Sequence, residues 1–225
     1  ENHTLLSSER RVYTEDGRFA PEVLALRREV RMRSAAQGFY TMFGPAELGG
    51  GGLGPVASVY LNAILSRATG PGRELIHPVV IPSPFTNGLS PLLTFLNVGP
   101  RDRILPALAS GDKTLCFALS EPDAGSDVFS MKSRAIRDGD DWVLTGTKQW
   151  ITNGPYADYA MVFAVTDPEL AVVRKGGITG FLIDCLAPGF RVVSTIPTMG
   201  HLGAEIGVLA FDDLRVPDSH RLGAV

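Results

Sequence analysis

The sequence predicts an α+β protein, with an N-terminal all-helical domain over residues 1–113 followed by an antiparallel β-barrel domain over residues 114–225. Three observations carry that expectation. Apolar stripes of helical period, punctuated by proline and glycine, fill the first half. From Thr114 onward, short β-branched and aromatic runs replace them, each bounded by Gly, Pro, Asp or Asn. No helical pattern of about ten residues separates those runs, which argues against a parallel sheet with crossover helices and for an antiparallel barrel or sandwich.

The elements follow in order. Residues 21–38, PEVLALRREVRMRSAAQG, open on proline and close on glycine, the punctuation of a helix. Its cluster Arg27, Arg28, Arg31 and Arg33, with Glu22 and Glu29 nearby, reads as a solvated face rather than a phosphate patch. GGGGLG at 49–54 matches Gly-x-Gly-x-x-Gly in form, but the next extended run, IHPVVIPS, holds two prolines and no acid to grip a ribose. A flexible loop between helices is the better account. PVASVYLNAILSRATG places Val56, Val59, Tyr60, Ala63 and Ile64 on one helical face, with Pro55 at its start and Gly70 beyond its end, so that face is expected to be buried. RDRILPALASG, 101–111, reads as a shorter helix that Pro106 either kinks or starts. The β-rich runs are TLCFALS, WVLTGTKQWIT, DYAMVFAV, GFLIDCL, FRVVSTI and VLAFDDLRV, and Asp138-Gly139 signals a hairpin.

Composition narrows the function. Apolar residues form 44% and charged residues 20% of 225, enough to bury a sizeable core. A net charge of -3 offers no electrostatic reason to bind nucleic acid or an anionic membrane. Cys116 and Cys185 lie far apart in apolar runs and are expected to be buried reduced thiols. No run of about 20 apolar residues occurs and the opening ENHTLLSSERR lacks the order of a signal peptide, so the expected location is cytoplasmic. A nucleophile elbow is absent, and His3, His77, His201 and His220 fall in unrelated segments, so neither a catalytic triad nor a metal site is assigned.

Two stretches carry chemistry. CFALSEPDAGSD, 116–127, begins as a strand and breaks into Glu121-Pro122-Asp123-Ala124-Gly125-Ser126-Asp127, either an ordinary acidic turn or a small-residue turn that lets a flat ring or a pyrophosphate approach its N–H groups. GTKQWITNG, 146–154, sets an indole, a β-branched residue and a hydroxyl near a strand end. Strand alternation places Trp150 and Thr152 on one side and Ile151 opposite, so Trp150 reads either as core packing or as a plane for a heteroaromatic cofactor.

Together, FGPAELGGGGLG, ILPALASGDKTLCFALSEPDAGSD, GTKQWITNG, GITGFLIDC, PGFRV and LAFDDLRVP resemble, in order, the acyl-CoA dehydrogenase family of flavoenzymes, from about Gly44 to Gly223. The resemblance implies FAD as cofactor. Phe117, Leu119 and Ser120 would border the isoalloxazine, and Ser120 takes a place often held by threonine. Gly125 and Ser126 would approach the FAD pyrophosphate, and Ser126 also the acyl-CoA substrate. Trp150, Ile151 and Thr152 would cover the other side of the flavin, with the Thr152 hydroxyl close to N5. The implied reaction is α,β-dehydrogenation of an acyl-CoA thioester: a carboxylate base takes the α-proton, the β-hydrogen leaves as hydride, and an electron-transferring flavoprotein receives the electrons. The family's base lies in a C-terminal helical domain, which would begin where VPDSHRLGAV ends, so no residue here is assigned as catalytic. Family members commonly form dimers or tetramers, and a homo-oligomer is expected.

One departure bears on substrate type. Where many members read Met-Gly-x-Arg, this chain has Met199-Gly200-His201-Leu202, without the positive charge. That change and the unassigned base leave a non-catalytic subunit on the same fold as one alternative, and a flavin monooxygenase or nitroalkane oxidase as another.

Overall fold

The computed structural model describes residues 12–15, 17–67, 78–200, 203 and 205–224. Helix α1, Pro21–Ala36, starts on Pro21, whose missing N–H costs nothing in a first turn, and carries Glu22 and Arg33 at the ends that suit their charges. It buries Val23, Leu26, Arg27 and Ser34. The basic face is therefore not uniformly solvated as expected: Arg28 and Arg33 are exposed, whereas Arg27 is only 6% exposed. A guanidinium on a long apolar stem can be buried where its head is stacked, and that of Arg27 lies over the Phe19 ring at 4.8 Å.

The glycine loop at 49–54 follows a 3-10 turn, Ala46–Leu48, and leads into α2, Pro55–Leu65. It is not a loose connection. The N–H groups of Gly51, Gly52 and Leu53 bond to the carbonyls of Thr41, Gly44 and Met42 at 3.0, 2.9 and 3.0 Å. A Cβ on Gly50 would stand 2.3 Å from the Gly44 carbonyl oxygen, so glycine is needed for backbone to lie against backbone.

The apolar stripe of α2 is real, but its burial is not: none of its residues is buried, and Val56 and Val59 are 85% and 72% exposed. Periodicity identifies a stripe without saying what covers it. Gly70, the expected stop, and IHPVVIPS up to His77 lie outside the described residues. Helix α3, Val98–Ala109, begins three residues before the expected start and carries Pro106 in its interior.

The expected runs emerge as β1 (Leu115–Ala118), β3 (Asp141–Thr152), β4 (Tyr159–Val165), β5 (Ile178–Asp184), β6 (Phe190–Ile196) and β7 (Ile206–Pro217). Strand β2, Arg134–Asp138, pairs antiparallel with β3 across the Asp138-Gly139 turn, where Gly139 has φ 64°. A short helix α4, Pro168–Val172, is capped by Asp167, whose Oδ1 accepts from Glu169 and Leu170 N–H at 3.0 Å; β8, Arg221–Leu222, closes the order.

The strands form one sheet in the order β6-β7-β3-β2-β4-β5-β8, with β1 beside β4. The barrel expectation is corrected here. Strands β6 and β8 end the path without pairing to each other, so the sheet is open; β1 runs parallel to β4, and β2 meets β4 in parallel at a single step, Arg134↔Val165. That step joins two halves folded over a shared interior, where Trp142 of β3 meets Phe181 of β5 with ring centroids 5.5 Å apart. Side-chain alternation counts strands, but closure depends on edge pairings it does not encode.

Strands β1, β4 and β5 are covered on both faces. Cys116, Ala118, Val162 and Phe181 point into the interior of the sheet, while Leu115, Met161 and Leu182 join Leu93, Ile104 and Leu108 of the helical half in a second core. Two-sided burial accounts for their near-continuous apolar sequence. Both thiols are free; Cys116 is fully buried as expected, and its pKa is pushed up to about 12 by burial, whereas Cys185 is half-buried.

Candidate functional site

The strand β1 stops at Ala118, and the next carbonyls are taken by β3. Leu119 O accepts from the Lys148 ammonium at 3.0 Å, and Ser120 O from the Gln149 N–H at 2.9 Å. The two stretches singled out in the sequence therefore meet edge to edge. Beyond Ser120 the chain turns on itself, the Glu121 N–H donating to Ala124 O at 2.8 Å, and runs through a 3-10 turn, Val128–Ser130, into β2.

The carboxylate of Glu121 closes the base of this loop. It accepts from Lys132 N–H at 2.6 Å and Ser133 N–H at 3.1 Å at the loop's exit, and pairs with the Lys148 ammonium at 2.8 Å. Both side chains are buried, Lys148 completely. Burial alone would raise the Glu121 carboxyl, but the hydrogen bonds from Lys148, Ser133 and Lys132 outweigh it and hold the group below its ordinary value. Burial likewise lowers Lys148, and Glu121 offsets part of that. A buried pair of this kind adds little net stability over an apolar pair but penalises any arrangement that separates its members. It thus holds the loop bearing Gly125 and Ser126 in register with the end of β3.

The sequence reading missed this pair, though a signal was there. Trp142 and Leu144 of β3 are buried, and counting in twos places Lys148 inward as well, where a lysine needs an acid.

The structure places the expected site residues as follows. Gly125 and Ser126 are exposed at the loop tip, where an added Cβ on Gly125 meets nothing within 4 Å. Their N–H groups make no hydrogen bond to the described residues. Phe117 is half-buried, its ring 5.1 Å from that of Phe163 and 6.1 Å from Phe85. Leu119 is half-buried against the cluster around Met131, and Ser120 is partly exposed at the junction.

Trp150 is not core packing. It is 57% exposed and has φ 64°, in a bulge between Lys148 and Ile151 that interrupts the strand alternation. A bulky residue held left-handed is a strained feature that turns the indole out to solvent. Ile151, by contrast, is 1% exposed with its side chain in the core, so only its backbone faces outward. Thr152 lines a cleft of about 200 Å³ together with Arg27, Asn87, Asn153, Tyr156 and Glu205. The strand ends at Asn153, φ 62°, whose side-chain amide bonds Thr114 Oγ1 and Leu115 O at 3.1 and 3.0 Å, tying the end of β3 to the start of β1.

An exposed aromatic plane, a hydroxyl in an adjacent cleft, and unpaired N–H groups on a glycine-bearing loop form a donor set suited to a planar ring with a phosphate tail. Among the described residues there is no group of three or more His, Cys, Asp or Glu that would hold a metal. No described helix is long and apolar enough to cross a membrane. The departure at His201 and Leu202 lies outside the described residues, as do His3 and His77.

Residues 116–214 match the model of the acyl-CoA dehydrogenase middle domain. The chain is 37% identical over 182 residues to mitochondrial isovaleryl-CoA dehydrogenase of Pongo abelii, covering 80% of this chain and 41% of that protein. It is 36% identical over 189 residues to mitochondrial short-chain specific acyl-CoA dehydrogenase of Homo sapiens, covering 83% and 43%. A solved glutaryl-CoA dehydrogenase from Mycobacterium smegmatis, in complex with FADH2, superposes with TM-score 0.70 at 30% identity over 91% of this chain and 50% of that one. The chain belongs to the acyl-CoA dehydrogenase family. It spans less than half the length of the two curated relatives.

Proposed function

We propose that this chain forms the helical and middle domains, divided near residue 113, of an enzyme that performs FAD-dependent α,β-dehydrogenation of an acyl-CoA thioester. The observation that carries this reading is the joining of the two motif-bearing rims, SEPDAGS and QWIT, through Ser120–Gln149 and Glu121–Lys148. Family membership and a neighbour solved with FADH2 support it.

Bound FAD supplies the two-electron acceptor that no side chain provides. The protein's share is orientation and electrostatics. Phe117, Leu119 and Ser120 would border the ring on one rim. Trp150 would offer its exposed indole face from the other, Ile151 would contribute through its backbone, and the Thr152 hydroxyl would serve as a donor to the ring. Gly125 and Ser126 would present N–H groups to the phosphates, and the Ser126 hydroxyl would serve the acyl-CoA. The α-proton would go to a carboxylate base, a role assigned to none of these residues. The acyl-CoA substrate, an electron-transferring flavoprotein as acceptor, a homo-oligomeric assembly and a cytoplasmic location complete the reading.

The test is the absorption spectrum of the intact protein under anaerobic conditions, before and after a panel of acyl-CoA thioesters. Bleaching of an oxidised flavin by at least one thioester is the expected result. A folded protein that shows no flavin, or a flavin no thioester reduces, contradicts it.

A further inference from the structure

Helix α1 contributes Arg27, Arg28 and Arg31 to the lining of a cleft of about 510 Å³ whose other walls are the segment joining α3 to β1 and the turn after β3. Four cations line it, and its two acids are already taken: Asp112 Oδ1 accepts from Arg28 Nε at 2.6 Å, and Asp158 Oδ1 pairs with Lys113 at 2.7 Å. Arg27 and Arg31 remain, with no carboxylate at ion-pair distance from either among the described residues. Arg31 Nε donates to Gly111 O at 3.0 Å, and Asp158 and Asp112 offset part of its charge from beyond ion-pair distance. Arg27 is 6% exposed, and its NH1 has no hydrogen-bond partner.

Stacking on Phe19 accounts for the burial of the Arg27 head but leaves one donor idle, one helical turn from a second cation. Burial, and then Arg31, pull Arg27 down to about 10, so it stays charged at neutral pH. Glu205 offsets part of that fall from beyond ion-pair distance, and the Tyr156 hydroxyl donates to it at 3.3 Å. With four cations against two carboxylates, the lining of the cleft carries an excess of positive charge, presented largely on planar guanidinium forks that grip a dianion well.

We propose that the α1 cleft is a binding site for a small dianion, a phosphate or a dicarboxylate, held between Arg27 and Arg31. The site goes beyond the flavin reading and does not depend on it. Bound there, the anion bridges α1 to the segment following Asn153 and so stiffens the contact between the helical and β halves.

The test is calorimetric titration of the intact protein with inorganic phosphate and, separately, with succinate, against chloride at matched ionic strength. Saturable binding of phosphate, succinate or both is expected; phosphate alone marks a phosphate site and succinate alone a carboxylate site. Arg27→Met is expected to weaken the binding by about tenfold or more. Arg31→Gln tests the same point should Arg27→Met not fold. Arg215→Gln, at the exposed Asp138 pair of the β2–β3 hairpin, is expected to leave it unchanged. Flavin content followed in the same samples separates loss of this site from failure of the flavin reading. Heats no larger than those of chloride, or undiminished affinity in the folded arginine variant, overturn the proposal.

Discussion

Lys148 reaches across the interior to Glu121, and its removal is the most informative single change. Lys148→Met leaves a buried carboxylate without its cation and should cost about 3–5 kcal/mol in urea unfolding. Adding Glu121→Gln should recover most of that, because a neutral amide oxygen still accepts from Lys132 and Ser133. The pair also sets a pH dependence. The folded Glu121 carboxyl lies below its ordinary value of 4.5, so the unfolded chain takes up the proton first as pH falls. Its contribution is complete above that value and is lost as pH drops through the lower, folded one. The stability gap between the wild type and the double variant should therefore narrow below pH 4.5. Trp150 and Thr152 behave differently. With the indole exposed, Trp150→Ala should change folding stability by less than about 1 kcal/mol yet lower flavin content, read from thermal unfolding and the flavin spectrum. Thr152→Val should keep the fold and slow flavin reduction in stopped-flow; an unchanged rate would remove the hydroxyl from the site.

At the scale of elements, much was legible in the sequence, and the exceptions share a cause. Strands β3 to β7 follow the runs read from alternation, and Asp138-Gly139 turns as its residues require. Pattern reading failed where an outcome depends on what lies across from an element. The α2 stripe satisfies helical period, but nothing among the described residues buries it. Val59→Asp should accordingly shift the stability of this chain by no more than about 0.5 kcal/mol in chemical unfolding. The glycine loop erred in the opposite sense, since it is pinned to residues 41–44 rather than flexible. Gly50→Ala should cost about 1–3 kcal/mol by overpacking against Gly44. Trp150 escaped the alternation rule through a bulge, and Arg27 escaped the solvated-face reading through its stacking on Phe19.

At the scale of the molecule, an open sheet folded over one core and backed by helices over a second brings the end of β1 to the end of β3. The motif order suggested that meeting; the buried ion pair that enforces it emerged only with the fold. The central claim is that these rims hold FAD, and equilibrium titration of the flavin-free protein with FAD, followed by flavin fluorescence and visible circular dichroism, addresses it most directly. Saturable binding of a single FAD per chain, weakened in Trp150→Ala, is the predicted result. A folded protein that leaves the spectrum of added FAD unchanged, or binds it equally well without the indole, would contradict the account.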